Sequence, residues 1–380
     1  MKILVAGDYC PRDRVSKLIE LGCDTQIFEP SLLQLLSKTD YNIVNFECAV
    51  ERAGARPIPK CGPNLQCSAK AVTVLKGGGF NCVTLANNHF RDYGKEGVEE
   101  TIKTLDAEGI DHVGGGNNLE EAERVLYKKI GDETLAIINV CENEFSIASK
   151  QRAGSAPLDT IDVVHRITEA RGKSNYVILI IHGGHEHWQY PSPRMIKLYR
   201  FFIESGADAV VNHHQHCFSG YEEYQGKPIF YGLGNFCFDH PKKRGGIWNE
   251  GYLVTLEFAG EKVKYDLQPY TQCDELPVVE MMNGSKLQVF EQKLHDINTV
   301  IANNRLLEEK WREFLTKKGD NEITPFTPYN NEYLRALVGR KWLPYLIPQK
   351  KMAKMLNFIM CEAHRDILVN AMKNKIEREK

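Results

Sequence analysis

Short apolar runs recur along the first 275 positions, and each breaks off at a polar cluster. KILVAG leads to Asp8, NIVNF to Glu47, NCVTLAN to Asn88 and His89, VILII to His182, and ADAVVNH to His214 and His216. Runs of this length, rich in β-branched residues, predict buried strands. Helical patterns lie between them. Residues 97–108 set Val98, Ile102 and Leu105 on one face, a helix is expected near residues 161–171, and Ser192 and Pro193 open another through Ile203. Serine suits the cap there, and proline the first turn. ETLAIINV predicts a further strand ahead of the polar loop QRAGSAPLD. Alternating strands and helices predict an α/β fold. The later segments GKPIFYGLGNFCF, GYLVTLEFA and KVKYDLQPY alternate with a β period and tight glycine turns, which predicts antiparallel strands closing a second sheet.

The pattern changes past Pro277. Helical periods occupy residues 287–302, 306–318, 332–347 and 351–376, divided by turn and proline signals at 318–328 and 344–348. Two parts are therefore expected: an α/β domain over 1–275 that carries the chemistry, and a helical extension over 276–380. Trp311, Phe314, Tyr333, Trp342 and Tyr345 recur among the leucines of the extension, the pattern of helices that pack on the first domain, on a second copy in a homo-oligomer, or on another partner. A lid over a substrate cleft is the minor alternative.

Composition narrows the class. The 380 residues are 42% hydrophobic and 26% charged, as in soluble globular proteins. Forty-eight basic residues against fifty acidic ones leave a net charge of −2, which supplies no global field for nucleic acid. With the first strand starting at residue 2 and no apolar stretch near the ~18 residues of a membrane span, a cytoplasmic protein is expected. Eleven cysteines lack any CxxC pair and are expected to be reduced and mostly buried; Cys10, Cys48 and Cys217 are given no role.

In open α/β sheets, ligands bind beyond the carboxyl ends of the strands. Asp8, Glu47, Asn88, His182, His214 and His216 would converge there. Carboxylates, an amide oxygen and imidazoles together suit the borderline divalent ions Mn, Fe, Zn or Ni, and bridging carboxylates can hold two of them close together. Taken singly, Asp8 fits a turn or cap as well as a ligand, and Glu47 fits a lysine or arginine partner. The pair HxH is more telling: on a strand, alternate residues share a face, so His214 and His216 would converge and His213 would point away. Seven of the twelve histidines fall between His182 and His240, a clustering that purely structural histidines do not anticipate.

These residues resemble a known family. Gly7-Asp8, Asn45 to Glu47, LANNHxxDYG from Leu85 to Gly94, HGGxE from His182 to Glu186, His214 to His216, and IFYGLGNFCFD from Ile229 to Asp239 are similar to the CapA-like capsule-synthesis proteins, relatives of the calcineurin-like metallophosphoesterases. The resemblance covers roughly residues 1–275. It implies a four-layer αββα sandwich with two metals, one held by Asp8, Glu47 and His216, the other by Glu47, Asn88, His182 and His214. Cys10 stands where many superfamily members carry a further histidine ligand. The implied chemistry is metal-assisted hydrolysis of a phosphoester, on a phosphorylated sugar or another small or polymer-precursor substrate of capsule or envelope metabolism. His89 would protonate the leaving alkoxide. His185 and Glu186 would orient substrate, and Arg12 or Arg14 would bind a phosphate or carboxylate. Two alternatives stand beside it: a γ-glutamyl amide hydrolase, or a non-catalytic scaffold for capsule-synthesis partners.

Overall fold

Alternate side chains of the strand Lys2–Tyr9 enter two separate cores. Ile3 and Val5 join a cluster shared with a second sheet, while Leu4 and Ala6 pack with Val15, Ile19, Leu32 and Leu36 from helices on the other face. The strand Tyr41–Phe46 repeats the division, with Tyr41 and Ile43 on the inter-sheet side and Val44 and Phe46 toward the helices. This period of two, buried on both sides, marks a sheet covered on each face. The chain is seen in a computed structural model that describes residues 1–60, 62–260, 262–323, 331–343 and 349–360, with positions 364, 367 and 372.

The first sheet runs, in order, Val279–Met281, Lys262–Gln272, Glu250–Ala259, Lys2–Tyr9, Tyr41–Phe46, Cys82–Thr84 and Asp111–Val113. Its last four strands are parallel. The second sheet runs Tyr221–Tyr224, Lys227–Phe230, Ala209–His213, Tyr176–His182, Glu133–Cys141 and Leu126–Ile130. Its central strands are parallel too, with His182 opposite both Cys141 and His213. The two inner faces meet in one apolar cluster, and helices such as Thr160–Arg171 and Pro193–Glu204 cover the outer face of the second sheet with Val163, Ile167, Met195 and Tyr199. The expected αββα sandwich is present.

Two expectations change. The segments GYLVTLEFA and KVKYDLQPY are antiparallel, but they extend the first sheet rather than close a second one: Ile3 pairs with Leu256 and Val5 with Val254. Tyr252, Val254, Leu256 and Phe258 supply the inter-sheet face there, so this strand covers an edge of Lys2–Tyr9 that would otherwise leave backbone groups unpaired. The domain boundary also moves. The first compact unit spans Met1–Glu308 and the second Glu309–Lys380. Composition shifts at Pro277, yet the strand Val279–Met281 still pairs in the sheet. The helix Gly284–Ile301 then buries Phe290, Leu294, Ile297 and Ile301, with Phe290 4.4 Å from Phe218 between ring centroids.

Beyond that unit, the described helices are Asn304–Ile323, which crosses the division, Glu332–Gly339 and Gln349–Met360. Tyr345 lies outside the described residues. Among the described residues no helix is long and apolar enough to cross a membrane.

Candidate metal centre

Parallel strands of both sheets finish at one edge, so the polar residues at their ends are forced together. Gly7 opens the site: a Cβ there would lie 1.9 Å from the carbonyl oxygen of Gly234, which accepts a hydrogen bond from the Asp8 amide. Asp8 is 1% exposed and Glu47 is fully buried. Asn45 Nδ2 donates to Asp8 Oδ1 at 2.8 Å and lies 3.3 Å from His182 Nδ1, while Thr84 fixes the amide by donating to its oxygen. Asp8 Oδ2 and both carboxylate oxygens of Glu47 have no hydrogen-bond partner. Burial pushes the Asp8 carboxyl up to about 7, and burial followed by the charge of Asp8 drives Glu47 well above the usual carboxylate range.

Imidazoles ring these oxygens. His182 Nε2 lies 3.5 Å from Glu47 Oε1, 3.1 Å from Asn88 Oδ1 and 3.1 Å from His214 Nδ1. His216 Nε2 lies 3.8 Å from Glu47 Oε1, and its Nδ1 is 3.8 Å from Asp8 Oδ2. Two groups with potential ligand atoms all within 4.8 Å of one another emerge among the described residues: Glu47 with His182 and His214, and Asp8 with Glu47 and His216. Glu47 belongs to both. Burial lowers His182 and His216 well below the ordinary histidine value, so both are neutral, the form that ligates metal. Three buried, unpartnered carboxylate oxygens among imidazoles and an amide oxygen fit a divalent metal site.

The histidine pair arrives by a different route from the one strand periodicity suggests. The strand ends at His213, and His214 and His216 take left-handed backbone angles of φ 95° and 55°. The turn, not strand alternation, aims both rings at Glu47. His213 does not point away: it is 2% exposed, its Nδ1 is 3.4 Å from Asp8 Oδ1, and burial depresses it to about 3. Outer contacts orient the candidate ligands. Asn235 Oδ1 sits 2.9 Å from His216 Nδ1, which turns Nε2 to Glu47, and Glu144 Oε1 sits 3.7 Å from His214 Nε2, which turns Nδ1 to His182.

His89 is 6% exposed, beside the ligands, and its Nδ1 is 2.6 Å from Asp92 Oδ2. Lys60 closes on the same pair, bonded to Asp92 Oδ1 and 3.1 Å from His89 Nδ1. Asp92 falls three residues after His89 within the LANNHxxDYG motif, so spacing alone offered a signal for it; Lys60 had none. His187 was also missed. Its ring lies 6.2 Å from that of His216 and 5.8 Å from that of Trp248.

The remaining candidates divide. Arg14 is not available to a phosphate: its guanidinium holds both oxygens of Asp239 at 2.9 and 3.0 Å and donates to the carbonyls of Cys273, Asp274 and Glu275. Arg12 bonds Asp13 at 2.7 Å and keeps about a third of its side chain exposed, at 32%. Glu186 is exposed, and its charge helps to raise Glu47. His185 is half-buried in the same turn, where its carbonyl accepts from Trp188. Cys10 is buried in the apolar cluster under the first sheet.

Residues 2–240 match the family described as bacterial capsule synthesis protein PGA_cap. The capsule biosynthesis protein CapA of Bacillus anthracis is 33% identical over 212 residues, 54% of this chain and 52% of that protein. The PGA biosynthesis protein CapA of Bacillus subtilis (strain 168) is 32% identical over 239 residues, 61% of this chain and 62% of its own length. The chain thus spans about half to three fifths of these relatives. Among solved structures, a phosphatase from Mycoplasma pneumoniae superposes with a TM-score of 0.47 at 15% identity, over 72% of this chain and 95% of that one. By the match that takes in every residue of the candidate centre, this chain belongs to the bacterial capsule synthesis protein PGA_cap family.

Proposed function

We propose that the chain is a metal-dependent hydrolase, and that its substrate is a phosphoester of a sugar or polymer precursor in capsule or envelope metabolism. One observation carries this reading: Glu47, buried and without a hydrogen-bond partner on either oxygen, lies between two histidine-containing ligand groups. Asp8, Glu47 and His216 would hold one ion, and Glu47, Asn88, His182 and His214 the other. Divalent ions held there would supply Lewis-acid activation of water and neutralisation of charge on phosphoryl oxygens.

The chain's own residues do the rest. His182 and His216 present unprotonated nitrogens because burial keeps them neutral, and Asn235 and Glu144 orient the rings of His216 and His214. His89 directs its Nδ1 hydrogen to Asp92 and, in the doubly protonated form, would deliver the proton on Nε2 to the departing alkoxide, ending as the neutral imidazole with its hydrogen on Nδ1. Glu186, exposed and close enough for its charge to raise Glu47, would contact the non-reacting part of the substrate, as would Arg12, whose side chain is about a third exposed at 32%. The names of the Bacillus relatives, capsule and PGA biosynthesis proteins, favour a second substrate for the same centre, a γ-glutamyl amide.

The test is metal content of protein purified without added metal, with hydrolysis of a chromogenic phosphodiester and phosphomonoester after Mn supplementation. Two transition ions and turnover abolished in Glu47→Ala support the phosphoesterase. Metal without phosphoester turnover redirects the centre to amides, and protein that takes up no metal refutes it.

A further inference from the structure

A buried ammonium that touches both members of the His89 and Asp92 pair has no part in the mechanism above. The Lys60 side chain is 2% exposed and that of Asp92 is fully buried. Asp92 is the hub of the loop around residues 58–65. Its carbonyl accepts from the Ile58 amide at 2.9 Å and from Asn64 Nδ2 at 2.9 Å, and its Oδ2 accepts from the Leu65 amide at 2.6 Å. Those neutral bonds already fasten the loop. Lys60 adds charge, at the carboxylate oxygen opposite to the one that His89 uses.

An ionised carboxylate only accepts hydrogen bonds, so with Asp92 ionised the His89 nitrogen 2.6 Å from its Oδ2 bears the hydrogen, and the Lys60 ammonium, 3.1 Å from that nitrogen, directs its own hydrogen to Asp92 Oδ1. Nε2 is then the nitrogen left for the centre. His89 directly follows Asn88, one of the proposed ligands, and is buried with it, at 6% exposed. The orientation holds only while Asp92 stays ionised and in place, and a fully buried carboxylate stripped of its cationic partner is strongly disfavoured there.

We propose that Lys60 is a positioning residue for His89: it anchors the Asp92 carboxylate and so fixes which ring nitrogen of His89 is presented to the substrate. The proposal rests on the phosphoesterase reading, in which His89 serves the leaving group. It predicts a selective defect, because a proton donor matters for a poor leaving group and little for a good one.

The experiment compares an alkyl phosphodiester with its nitrophenyl counterpart, using Mn-loaded protein. In Lys60→Met, kcat on the alkyl ester is expected to fall about a hundredfold, with less than about a threefold change on the nitrophenyl ester. Lys60→Arg restores part of the loss. The double variant Lys60→Met/His89→Ala is expected to be no worse than His89→Ala alone, as for residues that act through one another. Asn64→Ala, which loosens the same loop without touching His89, leaves the ratio between the two esters unchanged. Equal losses on both esters at normal metal content, or additive losses in the double variant, overturn the proposal. A second readout separates its failure from failure of the phosphoesterase reading. Nitrogen-15 NMR of the zinc-loaded protein, with the His89 ring assigned by His89→Ala, should show hydrogen on Nδ1 and lose that state in Lys60→Met. An unaltered tautomer in Lys60→Met refutes the Lys60 role whatever the activity, whereas metal-loaded native protein that cleaves neither ester refutes the phosphoesterase.

Discussion

His213 Nδ1 lies 3.4 Å from Asp8 Oδ1, with both side chains 1% exposed. The contact brings a histidine that strand periodicity assigned to the opposite face against the first carboxylate of the centre. Burial acts on the two in opposite directions, raising Asp8 to about 7 and lowering His213 to about 3. Without metal, the folded chain therefore keeps Asp8 protonated and His213 neutral in mildly acidic solution.

The metal-free protein should have a pH-dependent stability. Asp8 binds its proton more tightly when folded than when unfolded, so its contribution declines as pH rises from about 4 to 7. His213 behaves oppositely, and its contribution is lost as pH falls from about 6.5 toward 3. Asp8→Asn removes the first effect, together with the charge that helps to raise Glu47, and leaves the histidine in place. Urea melts of chelator-treated protein should find the variant more stable than the native chain at pH 8, by on the order of 4 kcal/mol, with a smaller advantage at pH 5. An advantage that does not grow with pH would show that Asp8 is not held protonated.

Metal stoichiometry should report the shared ligand. Glu47→Ala is expected to lose both ions, whereas His214→Ala and His216→Ala each retain about one, as their membership of separate ligand groups requires. Elemental analysis after gel filtration reads this directly. Chelation of the native protein should lower its melting temperature, because ions that bind only the folded state stabilise it.

Glu144 tests the outer contact on His214. Removing its charge in Glu144→Gln leaves all six proposed ligands in place but weakens the partner of His214 Nε2. Metal affinity, measured by competition with a chromogenic chelator, should fall about tenfold, the lower end of what such outer partners contribute.

Arg14 separates stability from chemistry. Arg14→Ala removes the bidentate partner of the buried Asp239 carboxylate, which keeps Arg244 at 3.1 Å, together with a donor to three backbone carbonyls, and should cost on the order of 2 kcal/mol in denaturant melts. Metal content and turnover of the folded fraction should be unchanged. A selective loss of substrate affinity would return Arg14 to the phosphate-binding role that its sequence position suggested.

Sequence by itself determined the layered α/β fold and the set of side chains at the strand ends. Both come from local rules: a period-two apolar run becomes a buried strand, and the residues just past the end of a parallel strand stand at one edge of the sheet. It also brought Asp8, Glu47, Asn88, His182, His214 and His216 into one group, because strand-end residues need no partner from elsewhere to be placed. Tertiary structure decided what depends on contacts distant along the chain. Arg14 meets Asp239 225 residues away, Lys60 meets Asp92 across 32, and the helix at 284–301 docks its apolar face on the first unit despite its change of composition. His213 turned toward Asp8 for a related reason: the strand stopped one residue before His214, and two left-handed residues, not the strand period, set where the rings point. Local periodicity fixes which face a residue is offered to, while the burial of charge and the pairing of distant groups decide what it meets there.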